Sequence, residues 1–261
     1  MNWCHTSPKN RFRHEVPLAH ATPHYFRSQK QRFVTGAQVA NAVGVGYVGG
    51  TPVDYLQSKF FTEEERGRQT EFSLQCMKHG QDREDDIRDT YTNIIGMRVE
   101  QSGFWTYSDE SDDRLKGFLG AIPDANVYDN SGSLVGVAEF KAPPHCMYRN
   151  STIPRYYMTQ IHAEMAASGT GWCDFMAICY KTGEIMLKRV YFCKRYWDSV
   201  TDRVLKFALA RTKATSMIGD GHHSCLDFKK TFPELDYGAK MSVLEGEDEI
   251  RVINVFDITN M

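Results

Sequence analysis

Apolar residues recur at helical spacing in some parts of the chain and form alternating or continuous stretches in others. The helical spacing predicts helices over residues 35–43, 62–77, 81–95, 155–168 and 195–211. The other stretches predict strands over residues 98–107, 118–122, 125–129, 134–141, 172–180, 185–192 and 250–258. The turn residues Asp129–Gly132 predict an antiparallel hairpin between two of these strands. The alternation of helices and strands predicts a mixed α/β fold with one core.

Length and composition are those of a globular chain. The 261 residues compare with roughly 150 residues for a typical domain, so one elaborated domain is the simplest expectation. Hydrophobic residues make up 41% of the chain and charged residues 25%, which argues against a disordered chain. The formal net charge of -2 gives no overall attraction to polyanions. A nucleic-acid site must therefore be a local patch.

The sequence also limits where the protein works. No stretch reaches the roughly 18 to 20 continuous apolar residues that a membrane-spanning helix needs. Residues 1–20 interleave His, Arg and Pro where a secretory signal would be apolar. Seven cysteines without a C-x-x-C pair fit neither a disulfide framework nor a zinc knuckle. We therefore expect an intracellular protein in a reducing compartment, neither secreted nor bound to a membrane.

Three ionisable residues can converge on the predicted hairpin. Asp124 lies just before one strand. Glu139 and Lys141 project from one face of the next strand, because side chains alternate along a strand, while Phe140 points into apolar packing. Two neighbouring carboxylates repel each other unless a cation neutralises them. Oxygen ligands from Asp and Glu suit a hard ion such as Mg²⁺ or Mn²⁺.

Four motifs surround these residues in a fixed order. They read HGQDRE over 79–84, GAIPDA over 120–125, EFKAP over 139–143 and YMTQIHAEM over 157–165. In this order they resemble the lambda-exonuclease family, also called YqaJ-type viral recombinases, a branch of the PD-(D/E)xK nuclease superfamily. The first motif is similar to the start of a helix with the pattern G-x-x-x-E in that family. The resemblance implies a restriction-endonuclease-like core, with helices flanking a central mixed β-sheet.

The resemblance also implies roles for single residues. Asp124 and Glu139 would bind the catalytic metal, with the carbonyl of Phe140 as a further ligand. The metal would be Mg²⁺, for which Mn²⁺ can substitute. Glu84 would serve a second metal or its water shell, although a solvated helix position is the simpler interpretation of Glu84 when it is taken alone. Lys141 would position the attacking water or stabilise the charge of the transition state.

Further residues would contact the substrate. Gln160 would contact metal-bound water or the region of the scissile phosphate; a polar position on an amphipathic helix is the alternative. The segment KQRFVTGA, which begins at Lys30, is similar to the family's R-x-x-x-I-T-A-S segment, whose arginine and serine hold a 5′-terminal phosphate. Lys30 falls on that arginine, with Arg32 as a near alternative, and Ala37 falls on the serine. Thr35 completes the expected DNA-binding set. Lysine lacks the bidentate fork of arginine and alanine has no hydroxyl, so metal-dependent cleavage is predicted more directly than 5′-phosphate recognition.

By this resemblance the chain is a Mg²⁺-dependent exonuclease. It would hydrolyse phosphodiester bonds of duplex DNA from the ends, 5′ to 3′, and leave single-stranded tails for recombination or for viral and phage DNA processing. The alternatives are an endonuclease or RNA-degrading relative on the same core, and a non-catalytic nucleic-acid-binding recombination accessory protein. Expected partners are DNA ends and a single-strand annealing protein. The chain would act alone or as a trimeric ring in virus- or phage-infected cells, in the cytoplasm or nucleus.

We expect one nuclease domain over residues 1–261. It would consist of a basic N-terminal arm (1–27), the nuclease core (28–211) and a C-terminal extension (212–261). The basic character of the arm and the segment after it is clear from residues 1–33, where six lysines and arginines accompany a single acid, Glu15.

Overall fold

The computed structural model describes residues 15–17, 25, 28–29, 32–46, 50–62, 64–65, 70–109, 112–219, 221, 223–237 and 244–256. The helices in this part of the chain are α1 (Gly36–Ala42), α2 (Pro52–Ser58), α3 (Glu71–Ile95), α4 (Arg155–Ser168), α5 (Lys194–Ile218) and α6 (Phe228–Thr231). The strands are β1 (Glu15–Val16), β2 (Val34–Thr35), β3 (Arg98–Gln101), β4 (Phe104–Thr106), β5 (Leu119–Ala121), β6 (Ala125–Tyr128), β7 (Leu134–Lys141), β8 (Trp172–Cys179), β9 (Glu184–Tyr191) and β10 (Val252–Asn254).

A six-stranded sheet forms the centre of the fold. Its strand order is β10-β9-β8-β7-β6-β3, with β7 and β8 parallel and the other neighbours antiparallel. A smaller sheet has the order β1-β4-β5-β2, in which β2 and β5 run parallel. Helices flank the central mixed sheet. The predicted α/β architecture is confirmed, and the arrangement is consistent with a restriction-endonuclease-like core.

Helices α3 and α4 cover opposite faces of the central sheet. Tyr91 of α3 packs in one apolar cluster with Phe140 of β7. Ile161 of α4 packs in another cluster with Phe175 of β8. Because alternate side chains of a strand point to opposite faces, β7 presents Phe140 to α3 and Glu139 to α4. The sheet thus separates Phe140, which packs under α3, from Glu139, which lies on the side of α4.

The two helices predicted on either side of Gly80 are one continuous helix. Helix α3 begins directly after its cap Thr70, so the predicted boundaries, and a helix start at the motif from Gly80 to Glu84, are wrong. Gly80 does not interrupt the helix, because a single helical glycine costs only about 1 kcal/mol relative to alanine. Thr62 and Glu65 exchange the two hydrogen bonds typical of a capping box, at 2.8 and 3.2 Å, but they enclose a turn and not the start of a helix.

The strand predicted over residues 98–107 is two strands in different sheets, and Gly103 is the reason. Its N–H donates to Glu15 Oε1 at 2.5 Å, and a Cβ at this position would lie 2.2 Å from the carbonyl oxygen of Val16. This close approach allows β1 to pair with β4, which carries β4 away from β3. The hairpin predicted at Asp129–Gly132 is confirmed, since β6 and β7 pair antiparallel across it.

The remaining differences lie outside the central strands. Helix α2 was not predicted, although Thr51 and Asp54 form a capping box with Pro52 in the first turn. Helix α5 continues past the predicted end at residue 211, so the proposed border between core and extension falls inside a helix. Strand β10 is shorter than the strand predicted over 250–258, of which 257–258 lie outside the described residues. The division into arm, core and extension stays a prediction, and most of the arm also lies outside the described residues.

One further finding concerns membranes. Within the described part of the chain, no helix combines the length and the apolar character needed to cross a bilayer.

Candidate active site

Asp124 is tied to the strand that carries the second acid. It stands immediately before β6, and its Oδ2 accepts a hydrogen bond of 2.6 Å from the backbone N–H of Phe140 in β7. The bond crosses the hairpin at the open end, opposite the turn. Asp124 therefore reaches the position next to Glu139, as the hairpin pattern predicted.

Glu139 is the centre of a buried polar cluster. Only 2% of it is exposed, and its Oε1 accepts from Lys141 Nζ and, at 2.6 Å, from Gln160 Nε2. Phe140 points the other way, with its ring centroid 5.5 Å from that of Tyr91. The predicted alternation along β7 is thus confirmed. Among the described residues, no group donates a hydrogen bond to Glu139 Oε2.

Glu164 belongs to the same cluster and was missed by sequence reasoning. It is 1% exposed, and its Oε1 accepts from Gln160 Nε2 at 2.8 Å. The signal was present, because Glu164 follows Gln160 by four residues and so shares its helix face. A glutamate on an otherwise apolar and small-residue stretch of α4 could have drawn attention to this face. Gln160 consequently bridges two buried carboxyl groups.

The cluster concentrates negative charge. Burial and then the charge of Asp124 raise the pKa of Glu139 to about 7, against the opposing effect of the Lys141 ammonium. Burial and then the charge of Glu139 raise the pKa of Glu164 well above its ordinary value. Burial disfavours the charged form of Lys141, but Glu139 and Asp124 outweigh it and raise the lysine pKa. One ammonium group among three carboxyl groups leaves a site that would be stabilised by a further cation.

The donor set fits a hard divalent ion. In the described residues, no group of three or more His, Cys, Asp or Glu side chains is arranged to hold a metal ion, so side chains alone do not complete a coordination shell. Mg²⁺ does not need one, since it is usually held by one or two carboxylates and keeps several waters. Asp124 and the unpaired buried Oε2 of Glu139 supply two such carboxylates. The carbonyl of Phe140 as a ligand stays a prediction.

Glu84 lies at the edge of this group. It is about one third exposed on α3, with its Oε1 3.1 Å from Arg88 Nη2. Burial and then the charge of Asp124 raise the pKa of Glu84, while Arg88 opposes both effects. Glu84 is therefore close enough to Asp124 for their charges to interact, but its hydrogen bond is with Arg88 and not with the cluster. A role toward a second metal stays a prediction.

The cluster opens into a cleft of about 640 Å³. Asp124, Glu139, Lys141 and Gln160 line its floor, and further lining residues come from the end of β2, from α1 and α3 and from the start of α4, namely Thr35, Ala37, Asn41, Met77, Gly80, Tyr156 and Tyr157. The segment before α1 therefore reaches the same cleft as the acids.

Of the two expected DNA-end residues that the structure describes, Thr35 and Arg32, the first lines the cleft. Thr35 lines it, is buried and stands at the N-cap of α1 without a side-chain cap bond. Arg32 is exposed, with its guanidinium carbon 5.2 Å from the ring centroid of Phe33, and its side chain is not among those that line the cleft. Lys30 lies outside the described residues. Asn41 and Tyr156 are cleft residues that sequence reasoning did not single out.

Three comparisons with known proteins bear on this site. The family model of the YqaJ-like viral recombinase domain matches residues 24–171, which include the whole cluster. Comparison with the curated proteins gave no match. Among solved structures, the alkaline exonuclease LHK-Exo from Laribacter hongkongensis is 18% identical, with a TM-score of 0.57 over 76% of this chain and 97% of that chain.

Two other solved structures are similar. LHK-Exo in complex with dAMP is 18% identical, with a TM-score of 0.57 over 82% of this chain and 100% of that chain. A phage-related exonuclease from Haemophilus somnus 129PT is 10% identical, with a TM-score of 0.51 over 71% of this chain and 96% of that chain. At these identities the likeness concerns the fold.

Proposed function

The chain belongs to the family of YqaJ-like viral recombinase domains, and we propose on this basis that it is a divalent-metal-dependent DNA exonuclease. The observation that carries the proposal is the convergence of Asp124, Glu139, Lys141 and Gln160 on the floor of one cleft. The fold shared with two exonucleases supports it. We further propose Mg²⁺ as the physiological ion, with Mn²⁺ able to replace it.

Four residues of the cluster would each have a task in phosphodiester hydrolysis. Asp124 and Glu139 would hold the ion, which when bound polarises the phosphoryl oxygen and offsets charge on the leaving oxygen. Lys141, which contacts Glu139, would stabilise the negative charge that develops on the phosphate in the transition state. Gln160 would orient the attacking water through its amide. Because the cluster is buried at its base, these groups are held in position before the substrate binds.

The direction of digestion would be set by the DNA end. We propose that Thr35 and Arg32, together with Lys30, contact a 5′-terminal phosphate and so favour degradation from 5′ to 3′. Thr35 supports this because it lines the same cleft as the acids. Duplex with a 5′-phosphate should then be degraded faster than duplex with a 5′-hydroxyl, and Arg32→Gln should reduce that preference. Equal rates on the two ends would exclude this route to directionality.

The test of the function is a time course on labelled nucleic acids. Linear duplex DNA labelled at either the 5′ or the 3′ end, covalently closed circular DNA and RNA are incubated with Mg²⁺ or with excess EDTA. We expect loss of the 5′ label first, an intact circle, and no cleavage in EDTA. Cleavage of the circle would identify an endonuclease, preferential loss of RNA an RNA-degrading enzyme, and full activity in EDTA would contradict the metal mechanism.

A further inference from the structure

Glu164 is the member of the buried cluster that the proposed chemistry does not use. It is 1% exposed, and in the part of the chain that the structure describes no donor reaches its Oε2. Burying a carboxyl group without complete hydrogen bonding costs free energy. The position of Glu164, one helical turn from Gln160 and beside Glu139, therefore needs an explanation other than stability.

The geometry of Gln160 supplies one. Its Nε2 donates to Glu139 Oε1 at 2.6 Å and to Glu164 Oε1 at 2.8 Å. A primary amide has two N–H donors on nitrogen and acceptor capacity on oxygen, so these two bonds occupy both hydrogens. The amide oxygen is then the end that can serve a third partner, and Gln160 lines the cleft.

Each carboxyl group constrains the amide in a different way. With Glu139 alone as acceptor, the Gln160 amide could rotate and still keep one bond, or turn its nitrogen toward the cleft. The second acceptor removes this freedom, because only one orientation satisfies Glu139 and Glu164 together. An amide whose nitrogen is held by two carboxyl oxygens has a defined acceptor end, which is what orienting a water molecule requires.

The surroundings keep Glu164 in place. A Cβ added at Gly36 would lie 3.4 Å from Glu164 Cγ and Oε1, so the first residue of α1 is in close contact with the carboxyl group. Gly36 has no side chain to displace it. Helix α1 thus covers Glu164 while leaving room for the carboxyl group to reach Gln160.

We propose that Glu164 is a positioning residue for DNA cleavage. By accepting a hydrogen bond from Gln160 it fixes the amide so that the amide oxygen accepts a hydrogen bond from the attacking water. The proposal rests on the proposed nuclease function, and it assigns to Glu164 a rate effect that acts through Gln160.

The first test distinguishes the loss of the hydrogen-bond acceptor at Glu164 from a change in side-chain volume. Glu164→Met has a similar length but no acceptor, whereas Glu164→Gln keeps an acceptor oxygen at the same reach. On linear DNA with Mg²⁺, Glu164→Met should lower kcat by about tenfold or more with little change in KM. Glu164→Gln should recover most of that loss. A wild-type kcat in Glu164→Met, or an equal loss in both variants, would overturn the acceptor role.

The second test asks whether the effect passes through Gln160. In a Gln160→Ala background, Glu164→Met should cause no further loss of kcat, because there is no amide left to position. The same loss in both backgrounds would mean that Glu164 acts on the fold or directly on another group. Thermal unfolding of every variant accompanies the assay, so a loss of folded protein is not counted as a loss of rate.

The third readout does not depend on activity. In the metal-free protein labelled with ¹⁵N, both side-chain amide hydrogens of Gln160 should exchange slowly with solvent, and one should become fast in Glu164→Met. Rapid exchange of both hydrogens in the wild type would overturn the inference. If the wild type fails to cleave DNA, the proposed function falls, whereas this exchange measurement still decides whether Glu164 holds the amide.

Discussion

Two buried acids lie on adjacent strands of the central sheet and face opposite sides of it. Glu139 of β7 faces α4, and Asp174 of β8 faces α3. Asp174 has donors for both oxygens: Arg189 reaches each of them at 2.8 Å, and Tyr91 donates to Oδ2 at 2.7 Å. Glu139 has donors on Oε1 only among the described residues.

The difference shows how to tell a structural acid from a reactive one. Burial is the largest cause that raises the pKa of both Glu139 and Asp174, so the electrostatic signature does not separate them. The two acids differ in whether both of their oxygens accept hydrogen bonds. A buried carboxylate with both oxygens paired joins elements of the fold, whereas a carboxylate that lines a cleft and keeps an unpaired oxygen is available to a ligand.

The largest effect is expected at the cation beside Glu139. Lys141→Ala should lower the rate of DNA cleavage by about 1,000-fold or more, because it removes the positive charge next to the reacting phosphate. Lys181→Ala, at an exposed turn between β8 and β9, is the matched control and should cleave at the wild-type rate. Rates are measured on linear duplex with Mg²⁺. Normal cleavage by Lys141→Ala would remove this lysine from the mechanism.

On the other face of the sheet, the expected effect is on stability. Asp174→Asn should lower the free energy of unfolding by about 3 kcal/mol, because it removes the buried charge that pairs with the partly buried guanidinium of Arg189. The matched control is Asp198→Asn, which breaks an exposed pair with Lys194 and should cost less than about 1 kcal/mol. Chemical denaturation measures both. Similar losses in the two variants would mean that burial of the ion pair is unimportant.

Metal binding should distinguish Glu139 from Asp174 by a smaller difference in the free energy of unfolding. At ten times the dissociation constant, Mg²⁺ should raise the free energy of unfolding of the wild type by about 1.4 kcal/mol. Asp174→Asn should keep this increment, because Asp174 lies on the face of the sheet opposite the proposed metal site. Glu139→Gln should lose most of it. An equal increment in Glu139→Gln would place the ion elsewhere.

The smallest effect is expected at Tyr91. Tyr91→Phe removes one donor to Asp174 but leaves both Asp174 oxygens paired with Arg189, so the free energy of unfolding should fall by only about 1 kcal/mol. The rate of DNA cleavage per folded molecule should stay at the wild-type value. A loss in cleavage rate without a loss in stability would show that the two faces of the sheet are coupled.

Much of this contrast can be predicted from sequence. Alternation along β7 places Glu139 and Lys141 on one face, and the turn chemistry at Asp129–Gly132 brings Asp124 beside them. The two strands predicted over residues 172–180 and 185–192 carry the ion pair of the other face, since the register of β8 and β9 sets Asp174 directly opposite Arg189. These features depend on local periodicity, which a sequence displays.

Other features depend on contacts between distant segments. The strand break at Gly103 arises from the approach of β1. The Gly103 N–H donates to Glu15 of that strand, which is 88 residues away in the sequence. In the sequence, Glu164 is one more polar position on a helix. Its connection to Glu139 through the two hydrogen bonds of Gln160 becomes visible only in the structure. Nothing in the local pattern shows which buried acid keeps an unpaired oxygen, because this depends on how α4 is docked on the sheet.

The central claim is tested most directly by cleavage of linear duplex DNA with Mg²⁺ by Glu139→Gln and Asp174→Asn side by side, with the rate expressed per folded molecule. The account predicts that Glu139→Gln is folded and inactive, and that Asp174→Asn is less stable but cleaves at the wild-type rate. Cleavage by Glu139→Gln at the wild-type rate, or loss of cleavage in folded Asp174→Asn alone, would contradict it.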